Sequence, residues 1–149
     1  MKTLLSILII LSSINYSFAQ TTPIPDANFE QYLIDVGSDN VLDGSVLTSN
    51  ISGLTSLVAI GAGISDMTGI EDFTSLISLH CSYNQLTSLD LSQNTLLLSV
   101  YCYGNQLNNL NVSQNYALST LSCGDNQLTN LDVTQNPNLE TLYCSDNPL

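Results

Sequence analysis

Four cysteines recur at a constant interval along this chain, because the differences 102−81, 123−102 and 144−123 all equal 21. An asparagine and two leucines keep the same interval at fixed offsets from the cysteine. Leucines and an asparagine that repeat every ~20–29 residues predict a solenoid, in which each repeat forms one coil and stacked coils share a core. Each cysteine is therefore first a position in a repeat. The four columns are Cys81, Cys102, Cys123, Cys144; Asn84, Asn105, Asn126, Asn147; Leu86, Leu107, Leu128, Leu149; and Leu89, Leu110, Leu131.

Each regular repeat opens with a pattern that predicts a short β-strand, Leu-x-Cys, with Val100 replacing the leucine in the second regular repeat. Successive side chains of a strand point to opposite faces, so Leu79 and Cys81 point into the core while His80 points outward. Equivalent strands stack in parallel about 4.8 Å apart. Few residues then remain for a helix on the opposite side. The sequence thus predicts a solenoid with short parallel β-strands on the concave face and an irregular convex side built from turns.

The first residues, 1–19, have the features of a secretory signal peptide. Lys2 supplies a positive charge, an apolar stretch follows it, and Ser17-Phe18-Ala19 offers small residues before a cleavage site. The apolar stretch is short for a membrane span, which needs ~20 residues, so a retained anchor is the weaker alternative. We expect an exported protein that is secreted or held at the cell surface.

The rest of the chain divides into an N-terminal cap over 20–56 and repeats over 57–149. In the cap, Asp26 stands where a helix N-cap is expected, helical spacing extends over 27–36, and Gly37 is a typical helix stop. Such a helix would cover the apolar end of the first coil. The first repeat, 57–78, has a length of 22, and the regular repeats that follow have a length of 21. The last repeat is incomplete, and we interpret the C-terminal end as truncated.

The asparagine and cysteine columns both have a structural interpretation. An amide side chain has two donors and an acceptor, so stacked asparagines can satisfy backbone groups that a turn leaves unpaired. Export permits disulfides, and neighbouring coils would bring the cysteine Cα atoms within bridging distance. Equivalent side chains of parallel strands point the same way, however, and Ala59 takes the cysteine's place in the first repeat. We predict small buried core cysteines, with disulfides and metal ligation as alternatives.

The charge balance is strongly acidic, because the only lysine or arginine is Lys2. Loss of this one positive charge with the signal peptide changes the formal net charge from −12 to −13. Without cationic side chains the chain cannot neutralise phosphates, which excludes nucleic-acid binding and disfavours anionic lipid surfaces. Charged residues are only 9% of the sequence, so the chain is not a disordered acidic tail.

The repeat frame resembles the leucine-rich repeat family, whose strand segment reads L-x-x-L-x-L-x-x-N-x-L. The matching residues here are Leu76, Leu79, Cys81, Asn84 and Leu86. More narrowly, the frame resembles secreted bacterial internalin-like proteins with the pattern L-x-C-x-x-N-x-L-x-x-L-D-[LV]-S-x-N. The resemblance covers nearly all of the chain after the signal peptide. It implies a leucine-rich repeat solenoid that binds a ligand, typically a protein or a glycan, on its concave face.

Outward strand positions and the residues at the strand ends are the candidate ligand-binding residues. Tyrosines with polar tips contact proteins or sugars at a low cost in conformational entropy. Acidic residues at the margin favour a neutral or basic partner. The alternative is that solvent-facing positions became aromatic without a ligand. The candidates are His80, Ser82, Tyr83, Tyr101, Tyr103, Ser122, Asp125, Tyr143 and Asp146.

A metal site receives little support from the sequence. Asp39 and Asp43 precede Gly44 at spacings that partly follow an EF-hand loop. Val41 removes the ligand at the third position of that loop, and Asn50 replaces its terminal glutamate. A degraded loop or an Asp-Gly turn is therefore favoured over a calcium site.

Catalysis is also poorly supported. The one histidine, His80, shares a strand face with Ser82, but no orienting acid is close in sequence. The chain has no C-x-x-C pair and no glycine motif that cradles phosphates. We predict no enzymatic activity, no cofactor and no resident metal.

The leading functional hypothesis is a secreted or surface-displayed recognition module that binds a protein or glycan through its concave sheet. The first alternative is a passive structural spacer within a larger surface protein. A secreted hydrolase that depends on His80 is the third and weakest hypothesis.

Overall fold

The computed structural model describes residues 19–149, so the predicted signal peptide lies outside the described residues except for Ala19. The described part consists of a small cap of mixed structure followed by a stack of coils. In chain order its elements are β1 (Thr21–Pro23), α1 (Ala27–Asp35), β2 (Ser45–Leu47), α2 (Thr48–Ile51), β3 (Ser56–Val58), a 3-10 turn (Ile70–Asp72), β4 (Ser78–His80), β5 (Ser99–Tyr101), β6 (Thr120–Ser122) and β7 (Thr141–Tyr143).

One parallel sheet runs through all the coils, in the order β3-β4-β5-β6-β7. Ser56 of β3 pairs with Ser78 of β4, so this first offset equals the length of the longer first repeat. The following pairs join Ser78 to Ser99, Ser99 to Thr120 and Thr120 to Thr141, and each of these offsets equals one regular repeat. Residues at the same repeat position therefore form columns across the sheet. The predicted solenoid of short parallel strands is confirmed.

The inward columns form a continuous core. The middle residue of each strand from β3 to β6 is buried, and so is the small residue two positions later. Within the described residues all four cysteines are free thiols, and only Cys144, in the last coil, is partly exposed. Burial raises the pKa of the Cys81 thiol to about 12, against a smaller opposing effect of a backbone hydrogen bond. The two columns are Leu57, Leu79, Val100, Leu121 and Ala59, Cys81, Cys102, Cys123.

The asparagine that follows each strand hydrogen-bonds to two coils. Nδ2 of Asn105 donates to the carbonyl oxygens of Cys81 and Cys102, both at 3.0 Å. Its Oδ1 accepts from the backbone N–H of Leu86 at 3.1 Å. One side chain therefore satisfies three backbone groups of a buried turn. The amides of Asn84 and Asn126 repeat the pattern one coil away on either side.

A second asparagine column lies on the return side of the coils. Nδ2 of Asn115 donates to the carbonyl oxygens of Leu91, at 3.1 Å, and Asn94, at 3.0 Å. Asn94 and Asn136 make the equivalent bonds to the coil before each of them. The Oδ1 atoms of these three asparagines are buried and accept no hydrogen bond from the described residues. This column therefore joins neighbouring coils through its donors.

The convex side of the repeats consists of turns, as the spacing predicted. The regular coils contain one isolated β-bridge there, between Asp90 and Asn111. The first repeat contains the 3-10 turn at Ile70–Asp72 instead. Among residues 19–149, no helix has the length and apolar character required to cross a bilayer.

The cap contains the helix that the sequence predicted. The Asp26 side chain accepts hydrogen bonds from the backbone N–H groups of Asn28 and Phe29, so it is the N-cap of α1. The helix ends at Asp35, and Gly37 follows with a φ of 78°. The second carboxylate oxygen of Asp26 accepts from Ser65 in the first repeat. This aspartate thus caps the helix and also joins it to the solenoid.

The antiparallel pairing of β1 with β2 was not predicted from the sequence, which indicated only an extended lead-in. Polar contacts hold the two strands in place. The hydroxyl of Thr22 donates to the carboxylate of Asp72 in the first repeat at 2.6 Å. The buried Glu30 accepts from three consecutive backbone N–H groups, those of residues 43–45. Phe29 also stacks on Phe73 at 6.1 Å, so the cap and the solenoid share a core.

Candidate binding surface on the concave sheet

The first outward column of the concave face runs across four strands. His80 pairs in register with Tyr101, Tyr101 with Ser122, and Ser122 with Tyr143. The first three side chains are partly exposed, and Tyr143 is 62% exposed. The rings of His80 and Tyr101 lie 4.4 Å apart with an interplanar angle of 40°. The sheet register therefore brings these predicted candidates side by side on one face.

In the second outward column, which includes Ser82, Tyr103 and Ser145, one predicted contact residue is buried. Tyr103 and Ser145 keep solvent exposure, but Ser82 is only 5% exposed. Ser82 occupies the position of Tyr103 one coil earlier, where the chain leaves the strand. Its burial removes this predicted contact residue from the accessible surface.

The third column lies at the strand exits and has left-handed backbone geometry. Tyr83, Asp125 and Asp146 have φ angles of 58°, 51° and 57°, and they are the only non-glycine residues between 19 and 149 with positive φ. Gly104 occupies the same column with a φ of 67°. Left-handed backbone costs a non-glycine residue roughly 1–2 kcal/mol, and aspartate tolerates it better than tyrosine. Strain of this kind concentrates at functional sites.

Two tyrosines of neighbouring coils form an edge-to-face pair at these exits. The rings of Tyr83 and Tyr103 have centroids 5.3 Å apart and an interplanar angle of 68°. A Cβ atom at Gly104 would lie 2.9 Å from Cδ1 of Tyr83, and one at Gly124 would lie 3.1 Å from Cδ2 of Tyr103. Each ring therefore covers a glycine of the next coil. We call these four residues the tyrosine platform.

Asp125 and Asp146 stand beside the tyrosine platform in the next two coils. The charge of Asp125 raises the pKa of the Tyr103 hydroxyl, with smaller contributions from burial, from Tyr83 and from Asp146. Both aspartates are exposed, and neither carboxylate accepts a hydrogen bond from the described residues. The platform thus has negative charge at one end.

An apolar extension of this surface toward the cap was not predicted from the sequence. Val58 pairs in register with His80, and its side chain is 51% exposed. Ile60 lies two positions further along the chain and is 46% exposed. The signal was present, because both occupy the outward positions of the atypical first repeat. The concave face therefore continues from aromatic side chains to aliphatic ones.

The partial EF-hand loop and the single histidine show no arrangement for metal binding or catalysis among the described residues. The carboxylate of Asp43 accepts from the backbone and the hydroxyl of Ser45, which is the geometry of an Asp-Gly turn. No three His, Cys, Asp or Glu side chains within residues 19–149 are arranged to hold a metal ion. The neighbour of the His80 ring is Tyr101, and no described carboxylate is hydrogen-bonded to its imidazole.

The chain is similar to known internalins in both sequence and structure. Internalin J of Listeria monocytogenes is 42% identical over 71 residues, which is 48% of this chain and 8% of internalin J. The solved functional domain of internalin J, described as including a cysteine ladder, matches with a TM-score of 0.79 at 40% identity. That match covers 87% of this chain and 29% of the solved chain. No family model matches the sequence.

Two further solved structures extend the comparison. The internalin InlF of Listeria monocytogenes has a TM-score of 0.71 at 20% identity over 86% of this chain and 46% of its own, which supports the fold alone. A leucine-rich repeat protein of Leptospira interrogans has a TM-score of 0.52 at 32% identity over 54% of this chain and 22% of its own. The chain thus spans less than half the length of each relative described here. Its repeat frame, its cysteine column and these matches identify it as an internalin-like leucine-rich repeat protein.

Proposed function

We propose that this chain is a secreted or surface-displayed recognition module that binds a protein or a glycan through its concave sheet. The observation that carries the proposal is the concentration of exposed and partly exposed aromatic rings on β4 and β5 and at their exits. Two ring pairs, His80 with Tyr101 and Tyr83 with Tyr103, join these neighbouring coils. Aromatic residues with polar tips are enriched where proteins contact their partners.

The rigidity of the sheet supports this assignment. The outward rings are attached to strands whose inward side chains are buried, so their positions are set before a partner arrives. Preorganised side chains lose less conformational entropy on binding than mobile ones. The apolar Val58 and Ile60 enlarge the contact area beside the rings. Recognition, rather than catalysis, is the activity that such a surface favours.

Export is part of the same proposal, and its support comes from the sequence of residues 1–19. The column of free thiols and the lack of lysine and arginine after Lys2 carry no information on the compartment by themselves. Cleavage after Ala19 can be checked by N-terminal sequencing or intact mass of the protein recovered from a producing bacterium.

The test of recognition is a binding screen with a matched tyrosine control. The chain without residues 1–19 is displayed against arrays of secreted and membrane-protein ectodomains and against a glycan array. The double variant Tyr101→Ser/Tyr103→Ser should reduce binding to any true partner at least about 30-fold, as expected for hot-spot aromatic residues. The control is Tyr116→Ser, because Tyr116 is an exposed tyrosine on the convex side.

Each variant must keep the circular dichroism spectrum and the urea midpoint of the wild type. Binding that survives the double substitution would place the interaction elsewhere and overturn the concave-face proposal. No binding to any array, with a folded wild-type protein, would favour a passive spacer.

A further inference from the structure

We propose that the tyrosine platform together with Asp125 and Asp146 is a subsite for the cationic side chain of an arginine or lysine of a polypeptide partner. The inference rests on the proposed concave-face recognition and specifies which chemistry it recognises. In this subsite the faces of the tyrosine rings contact the stem or the guanidinium group of the partner's side chain. The carboxylates of Asp125 and Asp146 pair with its positive charge.

The aromatic half of the subsite has the geometry that a flat or linear cationic side chain needs. The edge-to-face arrangement of Tyr83 and Tyr103 puts the two ring planes at 68°, so the rings form a corner rather than a closed stack. Gly104 and Gly124 leave no side chain between the rings and the sheet. Tyr83 is 62% exposed, so the outer part of the corner is open to solvent. A cation over a tyrosine face is attracted by the ring quadrupole.

The carboxylates of the acidic half have no structural task. Most other acidic side chains accept hydrogen bonds that cap a helix or close a turn, as Asp26, Asp90 and Asp132 do. Asp125 and Asp146 accept none from the described residues. Both nevertheless keep the left-handed backbone that this column requires. Their charges are therefore available to a partner.

The two aspartates also repel each other without compensation. They occupy the same position in adjacent coils, which places their backbones about 4.8 Å apart. The residues after Lys2 include no lysine or arginine that could pair with them. The same field that raises the pKa of Tyr103 favours a cation at the platform. An incoming arginine or lysine would relieve this repulsion while its stem covers the rings.

A cationic polypeptide fits this surface better than a glycan does. The formal charge of −13 after loss of Lys2 repels acidic sugars and steers cationic segments toward the molecule. A neutral sugar could stack on the rings, but it would leave the repulsion between Asp125 and Asp146 in place. The charge complementarity thus selects a basic segment, and neutral sugars become a competing outcome of the test.

The experiment uses three capped peptides of equal length as probes, with alternating glycine and arginine, glycine and lysine, or glycine and glutamine. Each is titrated into the chain without residues 1–19, labelled on its tyrosine rings, and followed by NMR at about 0.15 M salt, where only charges in close contact escape screening. We expect the two cationic peptides to bind and to shift the ring signals of Tyr83 and Tyr103, with arginine the tighter probe. The glutamine peptide should cause no comparable shift.

Two test variants and one control variant separate a local site from general charge attraction. Asp125→Asn/Asp146→Asn should weaken arginine-peptide binding about five- to tenfold, and Tyr103→Leu about two- to fivefold. The control Asp35→Asn/Glu140→Gln removes the same number of exposed charges away from the platform and should leave the affinity unchanged.

Three results with the peptide and glycan probes would overturn the subsite. They are equal affinity for the glutamine peptide, equal loss in the control pair, and binding of a neutral glycan at the platform with no binding of cationic peptides. The proposed function is tested independently by Tyr101→Ser/Tyr103→Ser and any partner found in the arrays. If that partner is lost with those serines but bound normally by Asp125→Asn/Asp146→Asn, recognition stands and the cationic subsite is wrong.

Discussion

At the scale of single residues, the side chain of the asparagine after each strand hydrogen-bonds to several buried backbone groups. Nδ2 and Oδ1 of Asn105 pair with three of them, and the side chain is 8% exposed. Alanine would leave the Leu86 N–H without a partner. It would also remove one of the two amide donors from the carbonyl oxygens of Cys81 and Cys102, which still accept from Asn84 and Asn126. Serine or aspartate cannot replace the amide, because neither has both two donors and an acceptor.

The first prediction follows from this arrangement. Asn105→Ala should lower the free energy of unfolding by about 2–4 kcal/mol, since the unpaired Leu86 N–H costs about 1–3 kcal/mol and each of the two lost hydrogen bonds to carbonyl oxygens adds about 0.5–1.5 kcal/mol. Urea unfolding at 25 °C measures the change. Asn108→Ala is the matched control, because Asn108 is exposed, and it should change stability by less than about 0.5 kcal/mol. Similar values for both variants would contradict the structural role of the ladder.

The cysteine column gives a second residue-scale prediction, on alkaline pH. Burial raises the pKa of Cys81 to about 12, above the ordinary value of 9.0 that the unfolded chain retains. The unfolded state therefore loses its proton first. The contribution of this thiol to stability is complete below pH 9 and is lost as pH rises from 9 toward 12, at up to about 1.4 kcal/mol per pH unit.

The measurement is urea unfolding at pH 8, 9 and 10 in the presence of reductant. Tyrosines also titrate in this range, so the comparison is with Cys81→Ala, which retains them. The stability difference between wild type and variant should shift in favour of the variant as pH rises. A difference that stays constant with pH would contradict burial of the thiol.

At the scale of elements, one aspartate both caps α1 and bonds it to the solenoid. Asp26 accepts from two N–H groups of the helix and from the backbone and hydroxyl of Ser65. Although partial burial raises the pKa of Asp26, the hydrogen bonds from Ser65, Phe29 and Asp66 outweigh it and hold the pKa below its ordinary value. The N-cap and the interface between cap and repeats therefore depend on the same carboxylate.

The third prediction concerns this carboxylate. Asp26→Ala should lower the free energy of unfolding by about 1–3 kcal/mol at pH 7, from the lost cap and the lost charged hydrogen bonds. Because the folded pKa is lowered, this stability is present above about pH 4 and disappears as pH falls through the folded pKa. Thermal unfolding should therefore show a large stability difference between wild type and Asp26→Ala at pH 7 and a small difference at pH 3.

Asp35→Ala is the control, since Asp35 is an exposed residue at the other end of the helix. A similar loss in Asp35→Ala, or no loss in Asp26→Ala, would mean that the cap is held by its other contacts, such as the bond from Asn28 to Gly63 and the stacking of Phe29 on Phe73.

The elements differ in how far the sequence revealed them. Helix α1 was predicted, because N-cap, helical spacing and glycine stop all fall within a short segment. The pairing of β1 with β2 was not, because each strand has three residues and the two are separated by a helix. Three residues are too few to show the alternation of apolar and polar side chains that predicts a strand. Their pairing depends on tertiary contacts such as the hydrogen bond from Thr22 to Asp72.

At the scale of the whole molecule, the charge balance sets a property that no single contact shows. All thirteen acidic residues follow Lys2, which is the only lysine or arginine. The folded chain therefore concentrates negative charge without compensating cations. Self-repulsion of this kind destabilises the compact state, and salt screens it.

The fourth prediction is a salt dependence with a defined sign. Raising NaCl from about 0.02 M to about 0.5 M should increase the free energy of unfolding by about 1 kcal/mol and the Tm by about 3 °C at this chain length. Differential scanning calorimetry measures the change. The variant Asp35→Lys/Glu140→Lys reduces the net charge by four and should show a smaller salt effect. An unchanged or larger effect would attribute the response to salting-out rather than to screening.

The sequence alone determined the fold and its register, because a constant repeat length assigns every position to a column before any contact is known. It also determined which residues are inward, since alternation along a strand fixes the two faces. The burial of Ser82 required the tertiary structure, because alternation along the strand predicts an outward side chain at this position.

The tertiary structure also decided how the candidate residues combine. From the sequence, Tyr83 and Tyr103 were separate outward tyrosines in different columns, and Asp125 was a marginal acid. The left-handed exit of each coil turns these side chains toward one another, and the glycines at 104 and 124 leave the space that the rings fill. Periodicity is a one-dimensional property and fixes columns, whereas a site is made across columns by side chains whose directions only the folded backbone sets.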